Sequence, residues 1–184
     1  MQEKTSGIVL HNIKYSDSTS IVTIYTRRFG RAVYMVYGRG KKKSLCRPAF
    51  LQPLTLVELD VAHFPRREVQ QIKDIRIATQ LNNIPVNPVK NALALFLSEI
   101  LFRTLIRADS DEQLFEFIEQ ATLSLNGCEN SLANFHLVFL LKLTRYLGFE
   151  PNYDNRNFAY FDLLEGVFLL DKPLHDYFLD TKDS

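Results

Sequence analysis

The chain has 184 residues, of which 46% are hydrophobic and 23% charged, with a formal net charge of +1. This is enough apolar material for packed cores and excludes a disordered polyelectrolyte. Apolar runs fall short of the roughly 18–20 residues that cross a bilayer, and two cysteines, Cys46 and Cys128, are too few for a disulfide framework. The expectation is a cytoplasmic protein without membrane contact.

The near-neutral total hides a split. Residues 1–80 carry 14 Lys/Arg against 6 Asp/Glu, and residues 81–184 carry 8 against 15. A basic half beside an acidic half points to a polyanion-binding module joined to a body with another task.

In chain order, the first half reads as β. Gly7 to Tyr15, Ser20 to Arg28, Arg31 to Tyr37, Leu54 to Ala62 and Glu68 to Ile77 are rich in Ile, Val, Tyr and Thr, and turn residues separate them. In the fourth run Val57, Leu59 and Val61 alternate with Glu58 and Asp60, a strand with one wet face. Five short strands in this length predict a small closed barrel. An OB-fold fits, and an SH3-like barrel fits nearly as well on strand count.

The second half reads as α. Asn87-Pro88 supplies an N-cap and a first-turn proline for a helix running to about Ala108. Asp109 to Glu112 opens a second helix, ended by Asn126-Gly127. A third helix covers about Leu132 to Leu147 and stops at Gly148. Being apolar nearly all round, it is expected at the buried centre of a bundle. Beyond it, Phe158 to Phe161 and Val167 to Leu170 flank Glu165-Gly166 as a β-hairpin, followed by a polar tail in which His175-Asp176 reads as surface. The fold class expected is α+β: a five-stranded OB-fold barrel over residues 1–80, then an α-helical bundle over 81–184 with a small hairpin at about 152–172.

The densest cations are Arg39, Lys41, Lys42, Lys43 and Arg47, set beside Gly38 and Gly40. Glycines let backbone N–H groups approach phosphate, and lysines neutralise its charge without reading sequence. Arg27, Arg28 and Arg31 stand one hairpin earlier and are expected to extend the patch; Arg66 and Arg67 stand before the fifth strand. Tyr34 and Tyr37 point to opposite sides of one strand, so one ring at most faces solvent. Tyr37, beside the basic loop, is the candidate for stacking on a base. Each of these residues also has an ordinary reading as a solvated turn cation or a core ring. The four histidines share no triad or metal spacing, and phosphate-cradling and paired-carboxylate motifs are absent, so no catalytic residues are assigned and no enzyme is expected.

Tyr15 to Ser20, Tyr25 to Gly30, Gly38 to Ser44, Leu51 to Leu54 and Leu147 to Asn152 occur in an order that resembles the RecO family of recombinational repair proteins. The resemblance runs from about residue 5 to 172. It implies an OB-fold, a helical domain, and in many members a small zinc-binding insertion. At the expected cysteine positions this chain has Arg156 and Ala159, so no metal and no cofactor are expected. The family usually continues with further C-terminal helices, so a shortened C-terminus is expected here. The resemblance also implies binding of single- and double-stranded DNA, strand annealing, association with the nucleoid, and partnership with RecR, RecA and the single-stranded-DNA-binding protein SSB. The acidic, hydrophobic SSB tail would meet the few cations of the helical half: Arg103, Arg107, Lys142 and Arg145. The competing reading is a protein-interaction scaffold whose barrel does not touch nucleic acid.

Overall fold

The computed structural model describes residues 2–39, 43–44, 48–64, 66–106, 109–129 and 132–180. The chain divides into two compact units, 1–133 and 134–184.

The first unit begins with five long strands: β1 (Gln2–Ser16), β2 (Thr19–Thr26), β3 (Gly30–Arg39), β5 (Leu56–Ala62) and β6 (Val69–Ile77), with the two-residue β4 (Lys43–Ser44) between β3 and β5. They pair in the order β2-β1-β5-β6-β3, and β2 pairs with β3 to close the ring. β3 and β6 run parallel through Val33↔Val69 to Met35↔Gln71, and the other contacts are antiparallel. Closure by a parallel pairing of the third and last long strands is the OB arrangement, which decides between the two barrels that strand count left open.

β1 starts earlier than its apolar pattern predicts. Its polar start, Gln2 to Ser6, pairs with β5 while its later part pairs with β2. The strand bends to serve both, with irregularities between Val9 and His11 and between Lys14 and Ser16. Gly7 sits at the shared stretch, where an added Cβ would lie 2.6 Å from Ile24 and 3.1 Å from Leu59. Only glycine fits there without displacing the core. That core is Val9, Val22, Ile24, Ala32, Tyr34, Val36, Val57, Leu59, Val61, Ile72 and Ile75, with Phe29 packed against it. In β2, β3 and β5 these are alternate residues, as period-two burial requires, while Ile72 and Ile75 of β6 stand three apart across the register shift opposite Asp60 and Val61.

Three helices belong to the same unit: α1 (Asn83–Val86), α2 (Pro88–Thr104) and α3 (Glu112–Gly127). The predicted caps form. Asn87 accepts from the N–H groups of Val89 and Lys90, and Asp111 accepts from Leu114 N–H. α2 stops at Thr104, four residues short of the expected end. Asn126 fastens α3 to α1: its Oδ1 accepts from Asn83 and Ile84 N–H, and its carbonyl accepts from the buried Lys90 Nζ at 2.7 Å. The sequence reading divides the chain near residue 80; by compactness, α1 to α3 group with the barrel.

The second unit holds α4 (Phe135–Leu147) and a small sheet of β7 (Tyr160–Asp162), β8 (Val167–Leu169) and β9 (Phe178–Asp180). Gly148 ends α4 at φ 81°, and the N–H groups of Gly148 and Phe149 bond back to Arg145 and Thr144 carbonyls. Two expectations change here. α4 buries Phe139 and Leu143 but exposes Leu137, Val138 and Leu141, so it is not the buried centre of a bundle. The expected hairpin is three-stranded, because Phe178 to Asp180 of the supposed tail pairs with β7.

Candidate nucleic-acid interface

The barrel has two rims, and the register of β3 separates the candidate residues between them. The β2–β3 turn and the β5–β6 loop form the lower rim, where Phe29 stacks on His63 with centroids 4.0 Å apart. β3 then climbs from Arg31 to Arg39, eight steps or roughly 26 Å at about 3.3 Å per residue. Arg27, Arg28, Arg31, Arg66 and Arg67 therefore belong to the lower rim, and Tyr37, Arg39 and Lys43 to the upper. They are not one continuous patch.

At the lower rim the arginines are held within the chain. Arg27 is 33% exposed and contacts Glu112, Glu116 and Glu119 on one face of α3, with Nη2 at 3.1 Å from Glu119. Its guanidinium also lies 4.5 Å above the Phe115 ring. Arg28 pairs with Glu3 at 2.5 Å. Arg31 Nη1 donates to the carbonyls of Phe102 and Leu105, at 2.7 and 3.1 Å. These are carbonyls that the end of α2 leaves without helical partners, and a cation suits the negative pole there. Burial lowers the Arg31 pKa, though a guanidinium keeps its proton. Arg67 stacks over Phe64 at 4.6 Å. Buried Gln70 shapes that loop, accepting from Phe64 N–H and donating to Phe64 and Arg67 carbonyls. Arg66 and Arg67 remain exposed.

The upper rim differs. β1, β2 and β3 rise past the start of β5, since β5 pairs with β1 no further than Ile8↔Leu56. The projecting part carries Ile13, Lys14 and Tyr15, all exposed, and Lys14 pairs with Asp17 at 3.0 Å. Tyr34 is fully buried and Tyr37 is 42% exposed, the opposite orientations that the strand period requires. Two residues beyond Tyr37, β3 pairs with β4 through Gly38↔Ser44 and Arg39↔Lys43. Lys41, Lys42 and Arg47 lie outside the described residues. The exposure of Ile13 and Tyr15 goes beyond the sequence reading. The signal available was a β1–β2 run with longer reach than β5.

Two models of one family match the chain: Recombination protein O N terminal over residues 1–81 and Recombination protein O C terminal over 86–173. The chain is 37% identical over 185 residues to DNA repair protein RecO of Phocaeicola vulgatus and 38% identical over 186 residues to that of Bacteroides fragilis. All of this chain aligns in both comparisons, to 77% of each relative. The chain belongs to the RecO family.

A zinc ion of the kind the family resemblance implies does not fit the small sheet. Arg156 and Ala159 offer no donor, and no three His, Cys, Asp or Glu converge among the described residues. Asp162 and His175 fasten the sheet instead: of the pair expected at the surface, Asp176 is exposed and His175 is partly buried. The buried Asp162 accepts from Leu164 and Glu165 N–H and lies 3.1 Å from His175 Nε2, while His175 Nδ1 accepts from Tyr177 N–H. Burial opposes the Asp162 charge, but the two N–H groups and His175 outweigh it and hold the carboxyl below its ordinary pKa.

Of the cations expected to meet an acidic tail, Arg103 pairs with Glu99 one turn away at 2.5 Å, and Arg145 approaches Glu150 at 4.0 Å. Lys142 is exposed on α4. Arg107 lies outside the described residues. Arg103 belongs to the first unit and the α4 pair to the second.

Proposed function

We propose that the chain is a DNA repair mediator of RecO type. It binds single- and double-stranded DNA through the upper rim and promotes annealing of complementary strands. With RecR it helps load RecA on SSB-coated DNA. Membership of the family across both halves carries this reading, and the density of cations in the sequence between Arg39 and Arg47 gives it a physical basis. Two complementary strands repel as polyanions. Cations that neutralise phosphates on each let them approach, and no covalent bond changes. The family resemblance makes an acidic SSB tail a partner, with Arg103, Arg107, Lys142 and Arg145 as separate candidates to meet its carboxylates.

The test is anisotropy of labelled single- and double-stranded oligonucleotides against salt. Binding by phosphate neutralisation weakens linearly on log–log axes, with a slope of about −0.7 per phosphate contact for single strands. Affinity that ignores salt and survives K41E/K42E/K43E would favour the scaffold reading. For the tail, a peptide with acidic residues and a terminal Phe should bind the full chain and lose affinity with R103A or R107A.

A further inference from the structure

We propose that the open face of the small sheet in the second unit docks a basic amphipathic helix of a partner protein. The proposal stands apart from nucleic-acid binding, because it concerns the acidic part of the chain.

Register sorts the side chains of the sheet onto two sides. Phe161 of β7 stands opposite Phe168 of β8 and Leu179 of β9, so these three share one side. The rings of Phe161 and Phe168 pack with centroids 4.8 Å apart. Leu163 N–H donates to the Tyr177 carbonyl at 3.0 Å, which carries the β7–β9 pairing one step further. By the two-residue strand period, Leu163, Leu170 and Tyr177 continue the side of Phe161, Phe168 and Leu179. All six are apolar or aromatic.

The other side has its cover. Asp162 and Phe178 are direct partners on that side. Tyr160 meets Phe178 edge-on at 5.7 Å, Lys172 Nζ lies 5.0 Å over the Phe178 ring, and His175 Nε2 lies 3.1 Å from Asp162. The connection from β8 to β9 thus folds over it. The Phe161 side is open instead. Leu163 is 51% exposed, Leu170 67%, Tyr177 64% and Leu179 38%. Contiguous apolar side chains left in water mark an interaction surface.

Size and charge define the occupant. Three strands about 4.8 Å apart span about 10 Å, the width of one α-helix. Residues 148–180 carry seven Asp/Glu against two Lys/Arg. Exposed Glu165 lies in the β7–β8 turn, exposed Asp171 follows Leu170, and exposed Asp176 precedes Tyr177. Such a rim repels a phosphate chain or an acidic tail and attracts Lys and Arg. A helix with an apolar stripe flanked by Lys or Arg meets both demands, the stripe on the sheet and the cations on the rim.

The experiment uses the full chain and three labelled peptides of equal length: a leucine–lysine helix with leucines at helical spacing, a scramble of the same residues, and a leucine–glutamate helix. By anisotropy the leucine–lysine helix should bind, and the other two should bind at least about tenfold more weakly. L170S/L179S should lower affinity for the leucine–lysine helix by on the order of tenfold or more, with little change in melting temperature because both side chains already meet solvent. L170M/L179M should retain binding, since the apolar surface remains. E165Q/D171N/D176N should weaken binding and flatten its salt dependence. Equal affinity for helix and scramble overturns the proposal, as does unchanged affinity in a folded L170S/L179S chain. Equal binding of the leucine–glutamate helix overturns the assigned charge of the partner. Sedimentation of the chain alone is the last arm: self-association that L170S/L179S abolishes would give the face to a second copy and overturn the partner reading.

Discussion

The two rims of the barrel carry the same kind of residue in opposite circumstances. At the lower rim, Arg27 sits among three glutamates of α3, Arg28 meets Glu3, and Arg31 caps α2. At the upper rim, β3 pairs with β4 through Gly38↔Ser44 and Arg39↔Lys43, and the sequence has five cations between positions 39 and 47 and no acid among them. Arg27 and Arg31 join barrel to helices, and Arg28 joins β1 to the β2–β3 turn. The upper ones are the cations that the proposed function assigns to phosphate. A count of basic residues cannot separate the two, whereas the location of the acids does.

The largest expected effect tests the basic run. K41E/K42E/K43E reverses three charges and should weaken single-strand binding by on the order of 100-fold or more at low salt. The loss should shrink as salt rises, and melting temperature should hardly move. Anisotropy and thermal melting of the same preparation check both halves of the statement. A variant that binds normally would remove the contrast between the rims.

The lower rim should respond in the other way. Arg31→Ala leaves two carbonyls at the end of α2 without their donor and should cost about 2–3 kcal/mol of stability. Arg27→Ala removes a partly exposed ion network and a cation–π contact, and should cost about 1–2 kcal/mol. Salt should reduce the Arg27 effect more than the Arg31 effect, because the glutamate pairs are screened and the carbonyl bonds are sheltered. Urea denaturation at two ionic strengths measures this. Both variants should keep oligonucleotide affinity within about twofold at temperatures where they are folded. A tenfold loss of affinity with unchanged stability would return these arginines to the binding surface.

Much of the frame was readable in the residues. Alternation in Leu56 to Ala62, the Asn87-Pro88 start, the Asp111 cap and the Gly148 stop are local signals, and each appears where the local rule puts it. The failures are non-local. The partners of Arg27 lie 85 and 92 positions away on α3, and those of Arg31 lie 71 and 74 away on α2. Local pattern holds no information about such pairs. Phe178 to Asp180 is only three residues, too short for a period to show, and its strand exists because β7 offers an edge. The long apolar helix misled for a related reason: composition reports what a helix can bury, and its neighbours decide what it does bury.

The smallest effect concerns the one lower-rim group that titrates near neutrality. His63 stacks on Phe29, and burial lowers its pKa, with Glu3 acting against the shift. The folded state therefore binds the proton less readily than the unfolded chain, where histidine titrates near about 6.5. Stability is complete above that value and falls as pH drops from it toward the folded pKa, since the unfolded state takes up the proton first. Melting temperature of the wild type should decline gently from pH 7.5 to 5, and the decline should be shallower in His63→Phe, which keeps the stack without the proton. Oligonucleotide affinity extrapolated to a common fraction folded should show no matching step, because the upper rim lies at the other end of β3. A step in affinity that disappears with His63→Phe would mean that the two rims communicate, and the division between a structural end and a binding end would have to be redrawn.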